Sequence, residues 1–107
     1  MEQLFVKDGE RCWFVPMREV HLLTSEGNSV RLHWGREKPL LARNLLAIEQ
    51  RLDPNQFLRA NRSQIVNLKF VREIVKWFGG KHKVRLKDKA QTELVVSRGY
   101  GEAIRKL

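Results

Sequence analysis

Apolar residues come in short runs framed by turn-forming residues, and the spacing within the runs changes along the chain. Leu4 to Val6 and Cys12 to Val15 flank Lys7-Asp8-Gly9-Glu10. Asp-Gly is a usual occupant of a tight turn, so this stretch predicts a hairpin. Pro16-Met17 interrupts it. Val20, Leu22 and Leu23 form the next run, and Ser25-Glu26-Gly27-Asn28 reads as a turn. Val30, Leu32 and Trp34 then alternate with Arg31 and His33, the period of a strand with one buried face. Gly35 to Lys38 turns again, and Pro39 to Leu41 predicts a short edge strand.

The period shifts at Asn44. Leu45, Ile48 and Leu52 recur at helical spacing until Asp53-Pro54-Asn55 stops the run, predicting the main helix, about ten residues long and capped by the Asn44 side chain. A helix this short is marginal alone, so its apolar stripe needs a sheet to pack on. Phe57-Leu58 and Ile65-Val66 flank the polar stretch Arg59 to Gln64. Val71, Ile74 and Val75 lead to Trp77-Phe78, with Gly79-Gly80-Lys81 as a turn. Lys83 to Leu86 alternates basic and apolar, Lys87-Asp88-Lys89 turns, and Glu93 to Val96 is another strand. Tyr100, Ala103, Ile104 and Leu107 suggest a short C-terminal helix. The expected fold is mainly β, with short antiparallel strands in one domain over residues 1–107.

Size and composition narrow the picture. A chain of 107 residues has room for one domain without staples, with a small stability margin. No apolar stretch approaches the roughly 20 residues needed to span a bilayer, and the first residues lack a secretory signal. The lone Cys12 excludes an internal disulfide, cannot anchor a zinc site by itself and suits a reducing, cytoplasmic setting. Its apolar neighbours favour an inert, buried thiol.

Charge changes the reading most. Residues 1–56 hold eight basic and eight acidic side chains, whereas residues 57–107 hold thirteen and four, so the net charge of +9 lies in the second half. A surface so biased attracts polyanions, nucleic acid being the commonest and an acidic lipid surface or acidic protein the alternatives.

Catalytic readings find no support. His21, His33 and His82 are scattered without metal-box spacing, and His21 and His33 read equally well as half-buried strand residues. Gly79-Gly80-Lys81 lacks the remaining elements of a phosphate loop. The binding candidates are stronger. Arg59-Ala60-Asn61-Arg62-Ser63-Gln64 gathers two arginines, two amides and a hydroxyl between two apolar runs. Those groups read base edges and clamp phosphates, and an arginine fork suits guanine O6 and N7. The bland alternative is a surface loop in which Asn61 and Ser63 satisfy the local backbone. Ser97-Arg98 at a strand end and Asn28-Ser29 at a hairpin tip are further candidates. Lys81, Lys83, Arg85, Lys87 and Lys89 share one parity. Odd-numbered residues across a strand share a face, so these five would present one basic stripe, giving salt-sensitive phosphate attraction with little specificity, or else a merely solvated strand face.

The stretch Phe57-Leu58-Arg59-Ala60-Asn61-Arg62-Ser63-Gln64-Ile65-Val66-Asn67 closely resembles the signature of LytTR (LytR/AgrA-type) DNA-binding domains, F-x-R-x-H-R-S-x-I-V-N. Glu19 to Leu23, the Gly27-Asn28 turn, the helix ending near Leu52 and Val96-Ser97-Arg98 match in order and spacing, so the resemblance covers nearly the whole chain. It implies three short antiparallel sheets in an elongated arrangement, with one main helix and a short C-terminal helix. It also implies a bacterial transcription regulator domain, neither an enzyme nor dependent on a cofactor, often following an N-terminal receiver or sensor domain. Its loops would enter successive major grooves of double-stranded DNA, with two copies on a direct repeat.

Carried over residue by residue, the base contacts are Arg62, Arg98 and the tip Asn28-Ser29-Val30, with Asn61 and Gln64 supporting. Arg59, Ser63, Lys69, Lys81, Lys83, Arg85, Lys87 and Lys89 are the expected phosphate contacts. Two departures stand out. Asn61 replaces the usual histidine, and the first tip has no long donor, so Val30 either belongs to the core or meets a thymine methyl. Two rivals are a module for single strands or RNA, favoured by Trp77-Phe78, and a basic face for an acidic protein.

Overall fold

The computed structural model describes residues 2–107. Ten strands form three antiparallel sheets. The first sheet is a hairpin of β1 (Gln3–Asp8) and β2 (Arg11–Pro16). The central sheet has five strands. They are β3 (Val20–Glu26), β4 (Ser29–Trp34), β5 (Leu40–Leu41), β6 (Phe57–Asn61) and β7 (Gln64–Asn67), in the order β5-β4-β3-β7-β6. The third sheet has the order β10-β9-β8, from β8 (Val71–Lys76), β9 (His82–Leu86) and β10 (Glu93–Val96). Helix α1 (Leu45–Glu49) crosses between β5 and β6, and α2 (Gly101–Arg105) follows β10. The described chain measures 44 × 27 × 23 Å, the elongated form expected.

The central sheet is buried on both faces, which explains why its strands read as runs rather than alternations. On β3, Leu23 joins the core shared with the β1–β2 hairpin and α1, while Leu22 joins the core shared with the third sheet. Ile65 and Val66 of β7, and Phe57 and Leu58 of β6, divide the same way. Burying each such side chain contributes about 1.5–3 kcal/mol, so both adhering layers draw on one sheet. Strand β4 alternates instead, with Val30 and Leu32 inward.

Two expectations need correction. The main helix is five residues rather than about ten. Asn44 caps it as predicted, its Oδ1 accepting from the Ala47 N–H (2.8 Å), but the helix ends at Glu49 with Gln50 as its C-cap, and the chain reaches Leu52 through a turn. Leu45 and Ile48 lie in the core while Leu46 is exposed. Cys12 is exposed rather than buried. The pairing of Leu4 with Val15 and Val6 with Trp13 fixes which parity faces inward. Cys12, Phe14 and Phe5 share the outer face, so apolar neighbours in sequence did not mean a buried thiol.

Candidate nucleic-acid interface

The β6–β7 turn is braced from within. Asn61 uses every polar valence it has. Its Nδ2 donates to Gln64 Oε1 (2.9 Å) and to the Val95 carbonyl (2.8 Å), and its Oδ1 accepts from the Ser63 N–H (2.9 Å) and Oγ (3.1 Å). Arg59 closes the tip from the other side. Its Nε donates to the Asn61 carbonyl (2.7 Å), one terminal nitrogen to the Arg62 carbonyl (2.8 Å) and the other to Glu49 Oε1 (2.5 Å). The guanidinium carbon lies 5.8 Å from the Tyr100 ring centroid. With the tip so held, Arg62 at its apex is exposed, and its side chain joins no hydrogen bond or ion pair among the described residues.

A bulge joins this tip to the third sheet. Arg59 pairs with Ile65 and Asn61 with Gln64, leaving Ala60 as the extra residue. The Ala60 carbonyl accepts the Ser97 N–H (2.9 Å), alongside the bond from Asn61 to Val95. The segments carrying Arg62 and Arg98 therefore run side by side. Arg98 opens a short 3₁₀ turn, Arg98–Tyr100, and is exposed. Its stem lies against Gly80, where an added Cβ would meet the Arg98 Cγ at 3.1 Å and Cδ at 3.3 Å.

The β3–β4 tip stands next to the β6–β7 tip. Thr24 pairs with Gln64, and the Ser25 N–H donates to the Ser63 carbonyl (2.8 Å). Asn28 is exposed at the apex and Ser29 half-buried. Beneath them Arg31 grips Glu26 with two bonds (2.7 and 2.9 Å) and donates to the Lys38 carbonyl (2.8 Å). Hydrogen bonding to Arg31 holds the Glu26 carboxyl below its usual range, so its charge is matched locally.

Several expected contacts take other roles. Val30 is 0% exposed and belongs to the core, because it faces the hairpin and α1. Arg59 and Asn61 direct donors inside the fold and brace the tip. The basic stripe is broken. His82, Val84 and Leu86 face inward, so Lys81, Lys83 and Arg85 share the outer side, but β9 ends at Leu86. Arg85 sits between its cross-strand partners Glu73 (4.0 Å) and Glu93 (3.2 Å), which absorb its charge. Lys87 and Lys89 belong to the following turn, where Lys87 Nζ donates to the Lys69 carbonyl (3.5 Å) and Lys89 is exposed beside His21 and Arg36. Lys69 and Ser63 are exposed, and Gln64 is half-buried.

Near that turn, His21 and His33 pack edge to face (5.9 Å between ring centroids). Burial first, then the charges of His21 and Lys38, lower His33 to about 4, and its Nε2 lies 3.2 Å from Thr24 Oγ1. Burial also lowers His21, against the pull of Asp88 at 3.8 Å. Although its own burial opposes this, Asp88 is held below the usual carboxylate range by hydrogen bonds from Thr92. No group of three or more His, Cys, Asp or Glu among the described residues is arranged to hold a metal, and no described helix is long and apolar enough to cross a membrane.

Two exposed arginine-bearing segments are thus tied together on a sheet scaffold. The LytTr DNA-binding domain family matches residues 10–107, and the chain belongs to that family. It is 28% identical over 99 residues to the sensory transduction protein LytT of Oceanobacillus iheyensis, covering 92% of this chain and 40% of that protein. It is 32% identical over 102 residues to the transcriptional regulatory protein YpdB of Escherichia coli K12, covering 95% of this chain and 41% of that protein. The chain thus spans about two fifths of the length of these relatives. A solved LytTr DNA-binding domain from Bacillus cereus shares the fold, with a TM-score of 0.87 at 20% identity over 99% of this chain and 95% of that one. Domains of this family are DNA-binding, non-catalytic modules of transcription regulators.

Proposed function

We propose that this chain recognises a specific double-stranded sequence on behalf of a bacterial transcription regulator, its loops entering successive major grooves with Arg62 and Arg98 reading bases. The observation that carries this reading is the pair of bonds from Ser97 to Ala60 and from Asn61 to Val95, which fasten the two arginine segments together while both guanidinium groups remain exposed. A fixed separation between two forks is what reading a fixed site requires, because reach and angle decide bidentate contact. Asn28, Ser29 and Gln64 support the base contacts. Ser63, Lys69, Lys81 and Lys83 hold the sugar-phosphate backbone, with Lys87 and Lys89 contributing from the neighbouring turn.

The site is a direct repeat occupied by two copies, the whole chain acting as one domain of a longer cytoplasmic regulator in which a receiver or sensor domain precedes it. Selecting bound fragments from a random duplex library tests this. A motif recurring twice in the same orientation supports the reading. Recovery of no common sequence, or tighter binding of a single-stranded competitor, overturns it.

A further inference from the structure

The β8–β9 hairpin ends in a tip, Trp77 to Lys81, which the proposed recognition of bases by Arg98 and Arg62 leaves unused. Its rings stand in the open. Trp77 is 39% and Phe78 64% exposed, and they meet edge to face with centroids 4.5 Å apart. Lysines lie over both faces. Lys83 Nζ is 4.4 Å from the Trp77 centroid and Lys81 Nζ 5.0 Å from that of Phe78. The Trp77 N–H donates to the Lys81 carbonyl (2.9 Å), so the backbone closes on itself and holds rings and cations in register.

Core packing does not account for this arrangement, since a ring as open as Phe78 covers little of the protein. Among the described residues, neither lysine is held by an acid. The carboxylates of this sheet's outer face, Glu73 and Glu93, are both turned to Arg85. The tip therefore offers exposed apolar rings with two lysines that join no ion pair among the described residues. It also adjoins Arg98, whose stem passes over Gly80 of the same tip.

We propose that this tip is a contact for the DNA backbone flanking the base read by Arg98, with Phe78 packed on deoxyribose and Lys81 and Lys83 neutralising adjacent phosphates. The inference rests on the reading of Arg98 given above. A duplex backbone alternates apolar sugars with anionic phosphates, and the tip alternates rings with cations to match. Lys83 lies over one face of Trp77, which leaves Phe78 as the more open ring for a sugar.

The test uses the library-selected duplex and a scrambled duplex, titrated over a range of salt. Phe78→Ala should weaken both duplexes alike, by about fivefold. Phe78→Leu, which keeps an apolar contact, should recover most of that loss. Lys81→Ala should flatten the salt slope by about one. Hydroxyl-radical footprints of both alanine variants should lose sugar protection on one flank of the site only, and thermal melts should match the parent chain. If both variants bind and footprint like the parent while Arg98→Ala loses specificity, the tip is no contact and the reading of Arg98 stands. If the parent prefers no duplex, both readings fall. A preference for single strands that Phe78→Ala abolishes would make the tip a base-stacking platform and overturn the proposal.

Discussion

Gly80 leaves open the space through which the Arg98 side chain passes. A Cβ on Gly80 would lie 3.1 Å from the Arg98 Cγ, closer than a side chain rests comfortably, and the backbone there has φ of +78°. Its neighbour Gly79 also has positive φ, +67°, but a Cβ there would meet nothing within 4 Å. The pair separates strain in the turn from displacement of the arginine.

Both Gly79→Ala and Gly80→Ala should lower stability by about 1 kcal/mol, because L side chains rarely adopt this backbone conformation. Only Gly80→Ala should also reduce discrimination between selected and scrambled duplexes. In an Arg98→Ala background that extra loss should vanish. Equal loss of discrimination in the two glycine variants would mean that Gly80 acts through the turn alone.

Arg62→Ala and Arg98→Ala should each remove about 1–3 kcal/mol of discrimination between the same duplexes. Titration at one fixed salt concentration measures it, and a loss shared equally by both duplexes would deny either residue a base contact. Arg85→Ala should leave the salt slope nearly unchanged, since Glu73 and Glu93 already balance that charge. A slope flattened by about one would return Arg85 to the phosphate contacts.

Asn61→Asp separates the two halves of the clamp. The carboxylate can still accept from Ser63, but the donors to Gln64 and Val95 are gone, and the new charge faces a carbonyl. Stability should fall by about 1–3 kcal/mol and affinity with it. Denaturant melts and duplex titration check the two, and an undisturbed affinity would show that Arg62 needs no such bracing.

His33 sets an acid limit. Burial holds its folded value near 4, below the ordinary 6.5, so between these values the unfolded chain takes up a proton that the folded chain refuses. The contribution is complete above pH 6.5 and is lost as pH falls toward 4. The melting temperature should therefore drop across that window. His33→Gln, which cannot titrate, should make the drop shallower, and an identical profile would assign it to other groups.

The family signature Phe57 to Asn67, the pattern of short strand runs and turns, the Asn44 cap and the concentration of positive charge in the second half were all readable from the sequence, the three-sheet arrangement only through the family resemblance. Each is local in origin, a matter of spacing, turn chemistry or counting. What each polar side chain does was not readable, because that depends on strands distant in sequence. Arg59 and Arg62 are three residues apart and chemically alike, yet the bulge at Ala60 and the approach of Glu49 turn one into a brace and leave the other free. Packing against the hairpin and α1 placed Val30 in the core, and the pairing across β1 and β2 put Cys12 outside. Cross-strand registry set Arg85 between two acids, and the end of β9 broke a stripe that parity alone would have continued. Sequence period decides which elements form and which residue types they carry. Only the packing of one sheet on another decides which donors are consumed inside the molecule and which remain for a partner.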